Sequence, residues 1–166
     1  ETSPRNDAGQ AKFSPDGSRL AMYHSKAGVY LFDFDRQTGL LSNDRAFGPV
    51  DSSSIIGGCE FSPSGRFLYV NTMRDVYQYD MEAKDIPGSE VHLGHYDGYL
   101  SPFATLFYHM ERTPDGQIFL NCPNQVNVLH VIKEPDKKGL ACNFVQHGIS
   151  LACKYLLVDA TFSQLS

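Results

Sequence analysis

Short runs of alternating apolar and polar residues, separated by turns that contain Pro and Gly, fill most of this chain of 166 residues. Three runs share one motif, in which a Pro presets the first central position of a turn and a Gly two residues later can adopt a left-handed backbone. Each motif predicts a hairpin of two antiparallel β-strands. The segments are FSPDGSRLAMY from Phe13, FSPSGRFLYVN from Phe61 and RTPDGQIFLNC from Arg112, with turn glycines Gly17, Gly65 and Gly116.

A second β-rich run begins about a dozen residues after each turn glycine, at Val29, Val76 and Val128. Side chains two positions apart lie on the same face of a strand, so we expect three pairs of side chains to form contacts between neighbouring sheets. The pairs are Tyr30 with Phe32, Tyr77 with Tyr79, and Leu129 with Val131.

The motif recurs at intervals of about fifty residues, which is the length of one four-stranded propeller blade. The predicted fold is therefore all-β, a β-propeller segment of three four-stranded antiparallel blades that is either incomplete or completed by oligomerisation. The segment is assigned to residues 1–151, with blades at 10–50, 57–95 and 104–147, and residues 152–166 form an atypical C-terminal extension. We place the innermost strands at 11–14, 58–62 and 106–112, and the outermost strands at 45–50, 90–93 and 141–145.

Composition and charge narrow the functional classes. The hydrophobic fraction of 42% is sufficient for a packed core, and the nine Tyr and eleven Phe suit strand faces. A net charge of −5 argues against a protein that binds the nucleic-acid backbone. No apolar run is long enough to span a membrane. The first residues have neither a basic end nor an apolar stretch, so we expect no targeting segment and interpret the chain as a processed product.

Four cysteines, Cys59, Cys122, Cys142 and Cys153, permit two disulfides in three connectivities. No two of them have the CxxC spacing of a zinc or redox site. We expect free thiols that are mostly buried, since an unpaired cysteine usually packs as a small apolar side chain.

The SPDG-type turns and the aromatic strands resemble the WD-repeat-like β-propeller repeat of the Tol-system, lactonase and related bacterial propellers. Longer segments resemble the propeller of large secreted Bacteroidetes proteins of the gliding-motility-associated, PKD-containing type. This resemblance covers residues 11–151 and implies a module that is extracellular or on the cell surface, with no established catalytic residues. The segments are FDFDRQTGLLS from Phe32, GCEFSPSGRFLYVN from Gly58, VYQYDM from Val76 and LHVIKEPDKKGLACNF from Leu129.

Two features depart from that family. The chain continues as ACKYLLVDATFSQLS from Ala152, which does not match the closing stretch rich in Pro and Asn that the family usually has. The sequence also contains no Trp, and therefore no WD dipeptide. The resemblance is thus to the wider repeat class rather than to eukaryotic WD-repeat proteins.

Candidate chemistry is concentrated between His92 and Tyr99, in a predicted loop. His92, His95 and Asp97 are sufficient ligands for a divalent metal. The alternative is a polar loop whose aromatic residues pack between blades, and we favour it because three ligands in one short loop lack the spacing of a recognised metal motif. Three other histidines in or near strands are interpreted as packing residues: His109, His130 and His147.

The leading interpretation is a non-catalytic binding scaffold that needs no cofactor and presents its inter-strand loops to a protein or glycan partner. In a propeller, the loops 24–27, 51–57, 72–75 and 94–102 emerge on one face, where ligands commonly bind. No GxSxG elbow, phosphate-binding glycine loop or dinucleotide motif occurs in the sequence. The candidate binding residues are His24, Arg74, His92, His95, Asp97 and Tyr99.

Two other interpretations stay open. A lactonase-like hydrolase with a central metal requires inward-facing ligands on several innermost strands, where the sequence offers Glu60, His109 and Glu111 without a matched residue in each blade. A truncated gene fragment without an independent role is the second. Three repeats also fall short of the four to eight blades of a closed propeller, so we weigh self-association into a six-bladed ring or capping by a partner against an open stack.

Overall fold

The computed structural model describes residues 9–152, and these residues form three four-stranded antiparallel sheets. Each sheet uses four consecutive strands in chain order, as in a propeller blade, and the three blades do not close into a ring. The all-β prediction is therefore confirmed. Blade 1 contains β1 (Gly9–Phe13), β2 (Arg19–His24), β3 (Gly28–Phe34) and β4 (Leu41–Phe47); blade 2 contains β5 (Gly58–Phe61), β6 (Phe67–Asn71), β7 (Asp75–Asp80) and β8 (Val91–His95); blade 3 contains β9 (Met110–Arg112), β10 (Ile118–Leu120), β11 (Val128–Ile132) and β12 (Phe144–Ser150).

Two short 3₁₀ helices, Pro87–Ser89 and Gly139–Cys142, lie between the third and fourth strands of blades 2 and 3. No helix in the range 9–152 is long and apolar enough to cross a membrane. The predicted extension at 152–166 lies outside the described residues except for its first residue.

The repeated motif forms the expected hairpin in every blade. The turn glycines Gly17, Gly65 and Gly116 have φ angles of 69°, 76° and 88°, in the left-handed region that favours glycine. In blade 1, the Gly17 N–H donates to the carbonyl of Ser14 at 2.8 Å, and the other two turns repeat this bond. These angles and hydrogen bonds confirm the predicted turns. The prediction succeeded because such turns depend only on local backbone chemistry.

Blade 3 has one residue fewer after its turn than the other two blades. The N–H of Ser14 donates to the carbonyl of Arg19 at 2.9 Å, whereas the N–H of Thr113 donates to that of Gln117, only four residues ahead, at 2.9 Å. A one-residue change inverts the alternation of side chains along the next strand. The register pairs Met22 with Tyr30, Val70 with Tyr77, and Leu120 with His130.

Leu129 and Val131, predicted to contact a neighbouring sheet, therefore do not face blade 2, whereas Ile132 does. His130 and Ile132, not Leu129 and Val131, occupy the positions that correspond to Tyr77 and Tyr79 of blade 2. The missing residue in the hairpin is the physical reason.

The predicted outer strands also shift. The strand placed at 45–50 is β4, which begins at Leu41, and the strand placed at 90–93 extends to His95 as β8. The strand placed at 141–145 begins only at Phe144, because Asn143, with a φ of 56°, ends the preceding 3₁₀ helix. The innermost strand placed at 106–112 is limited to β9. Directly before it, the N–H of His109 donates to the side-chain oxygen of Asn121 at 2.9 Å instead of to a strand carbonyl.

Most of the core of the described residues lies in two apolar layers between blades, and a smaller cluster of Cys122, Val126 and Val128 lies within blade 3. Between blades 1 and 2, buried side chains of β2 and β3 pack against buried side chains of β5, β6 and β7. A second layer joins blade 2 to blade 3. Cys59, Cys122 and Cys142 are free and buried, as predicted, and Cys153 lies outside the described residues.

Candidate functional site

A cavity of about 570 Å³ lies on the face where the β4–β5 connection meets the β6–β7 turn. These two segments contain the loops 51–57 and 72–75, which the sequence predicted to share one face of the propeller. The cavity is lined by Gly48, Pro49, Val50, Asp51, Ser52, Ser53, Thr72, Arg74, Asp75, Tyr77 and Glu90. Of the candidate binding residues, only Arg74 belongs to this lining.

The cavity is rich in carboxylates. Asp51, Asp75 and Glu90 line it together with a single guanidinium, that of Arg74. Burial raises the pKa of the half-buried Tyr77, and the charges of Asp75, Glu90 and Asp51 raise it further, so the three carboxylates lie around this phenol. The hydroxyl of Tyr79 donates to Oε2 of Glu90 and fixes the position of that carboxylate. The site therefore favours hydrogen-bond donors and positive charge.

Two histidines of β8 contact the cavity wall at Asp75. Nε2 of His92 lies 2.9 Å and Nδ1 of His95 lies 2.8 Å from the same carboxylate oxygen, Oδ1 of Asp75. Burial raises the pKa of Asp75, but the hydrogen bonds from His95 and His92 outweigh it and hold the pKa below its usual value. Both histidines belong to β8, as the strand placed at 90–93 predicted for His92, so the predicted loop begins only after His95.

Asp97 and Tyr99 belong to a different cluster. Oδ2 of Asp97 lies 2.8 Å from Nε2 of His147, and the ring of Tyr99 packs on the same imidazole at 4.3 Å between centroids. Asp97 thus pairs with a residue of β12 and not with His92 or His95. Within residues 9–152, no three His, Cys, Asp or Glu side chains are arranged to hold a metal ion, so the geometry does not fit the metal hypothesis for this segment.

His24, the remaining candidate, ends β2 and lies outside the cavity lining. Its carbonyl accepts the N–H of Ala27 at 3.0 Å, which closes the β2–β3 turn. His24 is therefore a residue of the β2–β3 hairpin and does not line the cavity.

A second polar cluster lies on the innermost strands, where sequence analysis named Glu60 and Glu111 but missed Lys12. Nζ of Lys12 lies 3.1 Å from Oε2 of Glu60 and 2.6 Å from Oε2 of Glu111. The three residues occupy the same position in their blades, directly before the first residue of each repeated motif. Aligning the repeats at this position would have shown that the innermost strand of blade 1 offers a lysine where the other two offer glutamates.

Lys12 offsets part of the negative charge of the two glutamates in this cluster. Burial raises the pKa of Glu60, and the ammonium of Lys12 opposes that rise. Burial lowers the pKa of Lys12, but the hydrogen bond to Glu111 and the charges of both carboxylates outweigh it and raise the pKa above its usual value. Lys12 therefore stays charged and supplies the cation that Glu60 and Glu111 bind. His109 stacks on Tyr108 at 3.8 Å between ring centroids. A central metal held by Glu60, His109 and Glu111 does not fit this arrangement.

No protein-family model matches this sequence, and no curated protein matches it. Solved structures do match the fold. A candidate 6-phosphogluconolactonase from Bacteroides uniformis aligns with 92% of this chain and 43% of its own, at 16% identity and a TM-score of 0.56. The PQQ domain of pyranose dehydrogenase from Coprinopsis cinerea aligns with 75% of this chain and 32% of its own, at 12% identity and a TM-score of 0.51.

The chain therefore spans less than half the length of these two structures. At such low identity the likeness concerns the fold alone, and it supports a propeller-like arrangement of the three blades. The resemblance to gliding-motility-associated proteins stays a prediction.

Proposed function

We propose that this chain is a non-catalytic β-propeller binding module of the cell surface or extracellular space, which presents the cavity face to a protein or glycan partner. The cavity between blades 1 and 2 is the observation that carries this proposal. It combines carboxylate acceptors, an exposed guanidinium and a half-buried phenol, which suits the recognition of a polar ligand in a defined orientation.

The hydroxyl groups of the repeated motif support a non-catalytic function, because they are used within the turns. Oγ of Ser14 donates to Asp16 at 2.6 Å, and Oγ1 of Thr113 donates to Asp115. Burial also raises the pKa of the Cys59 and Cys122 thiols to about 12, which keeps them protonated and poorly nucleophilic.

A glycan array and a peptide library, each screened with the whole chain, test this proposal. We expect at least one ligand class to bind, and Arg74→Ala to change that affinity about tenfold, because the guanidinium belongs to the cavity lining. The matched control is Lys84→Ala, which removes a positive charge from the exposed β7–β8 connection at the opposite end of the strands. Ligands whose affinity responds to Lys84→Ala but not to Arg74→Ala would overturn the assignment of the cavity face.

We also propose that copies of the chain associate through the open face of blade 1, defined by Phe13, Met22 and Tyr30. These side chains are 50%, 43% and 40% exposed. The corresponding residues Phe61 and Val70 of blade 2 are fully buried beneath blade 1. An apolar sheet face of this kind is normally covered by another blade.

Light scattering at high protein concentration tests the association. We expect a mass above the 18.5 kDa of one chain, and a return toward that value in Met22→Lys. Leu140→Lys, which changes a residue that is 78% exposed outside this face, is the matched control and should leave the mass unchanged. A mass of 18.5 kDa for the unmodified chain at every concentration refutes the association.

A further inference from the structure

The connection between β8 and β9 exposes a cluster of large apolar side chains. Tyr99, Leu100 and Phe103 are 43%, 62% and 56% exposed, and we refer to residues 99–103 as the apolar loop. Single exposed apolar residues are ordinary, but three within five positions form a patch of the kind that marks protein interaction sites.

Hydrogen bonds on both sides hold the apolar loop in one shape. The carbonyl of Tyr99 accepts the hydroxyl of Tyr96 at 2.8 Å and the N–H of Thr105 at 3.3 Å. The N–H of Ser101 donates to the carbonyl of Phe103 at 2.9 Å, and the Ser101 hydroxyl donates to Asn127 of blade 3. A loop that is already ordered loses little conformational entropy on binding, so its apolar residues are prepared for a partner.

The apolar loop adjoins the carboxylate-lined cavity through Arg74. The N–H of Tyr96 donates to the carbonyl of Arg74 at 2.7 Å, and the Arg74 guanidinium lies 5.9 Å from the centre of the Tyr96 ring. Because Arg74 also lines the cavity, the cavity and the apolar loop form one continuous surface. The β4–β5 connection, which also borders the cavity, carries two further exposed apolar side chains: Val50 is 59% exposed and Ile55 is 55% exposed.

We propose that this surface binds a protein segment in which a Lys or Arg side chain lies close to large apolar residues, an inference that rests on the binding function proposed above. The basic side chain enters the cavity beside Asp51 and Glu90, where carboxylates outnumber the single guanidinium. The apolar residues of the partner cover Leu100 and Phe103. A glycan fits the cavity but offers little apolar surface for Leu100 and Phe103, so the combination favours a peptide.

Selection from a random-peptide display library on the immobilised chain tests the proposal, followed by fluorescence anisotropy with the enriched peptides. We expect peptides with Lys or Arg within a few positions of Leu, Ile, Phe or Trp. Leu100→Ser and Phe103→Ser should each weaken binding about tenfold, the effect of truncating an apolar anchor. Replacing the basic residue of the peptide by Gln should also weaken binding and should lower its dependence on salt.

Leu140→Ser is the matched control, because it removes a more exposed leucine from the β11–β12 connection, at the opposite end of the blade, and should leave the affinity unchanged. Enrichment of acidic peptides, or binding that survives both Leu100→Ser and Phe103→Ser, overturns the proposal. If only the glycan array yields a ligand that depends on Arg74, the peptide inference fails while the binding function stands. If both screens stay empty, both proposals fail.

Discussion

His130 should make the folded protein sensitive to mild acid, because its contacts require a neutral imidazole. The N–H of His147 lies 3.0 Å from Nδ1 of His130, so this nitrogen acts as an acceptor and carries no proton. Nε2 then carries the proton and donates to the carbonyl of Thr105 at 2.8 Å. The side chain is fully buried, and burial lowers the pKa of His130 from 6.5 to about 4.

The sign of the effect follows from proton binding. Between pH 6.5 and 4 the unfolded chain binds a proton at His130 and the folded chain does not, so acidification favours unfolding. The stabilising contribution is complete above pH 6.5 and is lost as the pH falls to about 4. At 1.36 kcal/mol per pKa unit, the full loss is about 3 kcal/mol, of which about 2 kcal/mol falls between pH 7 and pH 4.5. That is a large part of the stability of an ordinary domain.

Urea unfolding at pH 7 and pH 4.5, followed by circular dichroism, measures this loss. His130→Asn supplies an oxygen that can accept the His147 N–H but does not titrate, so its stability should fall by about 2 kcal/mol less than that of the unmodified chain. Other groups act equally in both proteins; burial raises the pKa of Glu60, for example, which works in the opposite direction. Leu140→Ser, which changes an exposed residue of blade 3 and leaves every titratable group in place, is the control and should lose as much stability as the unmodified chain. Equal losses in the unmodified chain and His130→Asn would refute a buried neutral His130.

Two further predictions concern packing and charge. A Cβ on Gly57 would lie 2.3 Å from Cε1 of Tyr23, so Gly57→Ala should lower the free energy of unfolding by about 2 kcal/mol, as overpacking does. Gly94→Ala is the control, because its Cβ would meet nothing closer than 3.4 Å, and it should change the urea midpoint far less. Lys12→Met leaves the buried carboxylate of Glu60 without its cation and should cost about 3 kcal/mol in urea unfolding at pH 7. The double variant with Glu60→Gln should recover much of this loss, and equal stabilities of the single and double variants would contradict the pairing.

The architecture could be predicted from the sequence because its signals are local. A Pro and a Gly two positions apart specify a turn regardless of what surrounds them, and Gly17, Gly65 and Gly116 indeed adopt left-handed φ angles. Alternation placed Tyr77 and Tyr79 of blade 2 correctly against the neighbouring sheet. In blade 1 it selected the wrong face, because Val29 and Leu31 pack against blade 2 while Tyr30 is 40% exposed. In blade 3 the hairpin has one residue fewer after Gly116, so the side chains of the next strands point to the opposite faces. The sequence shows this only in that Ile118, the first residue of β10, follows Gly116 after a single residue.

The contacts of His92 and His95 could not be predicted because they depend on irregular pairing between strands. His92 and His95, three positions apart, would lie on opposite faces of a regular strand. A bulge in β8, where the register shifts between Val76 and Tyr77, brings both onto Oδ1 of Asp75.

Asp97 shows the converse. It is close in sequence to both of these histidines, yet it pairs with His147, 50 residues away. Nearness along the chain was therefore a poor guide to which polar side chains share a site, whereas strand register decides it.

The two polar clusters differ in what they leave for a ligand. On the innermost strands, Lys12 lies between Glu60 and Glu111, so the carboxylates already have a cation supplied by the chain. In the cavity, three carboxylates share a lining with one guanidinium, and that guanidinium lies over the ring of Tyr96. Asp51 and Glu90 in this lining favour a positively charged partner, and the adjoining Leu100 and Phe103 give such a partner apolar surface to cover. Recognition is therefore expected at the cavity face rather than along the innermost strands.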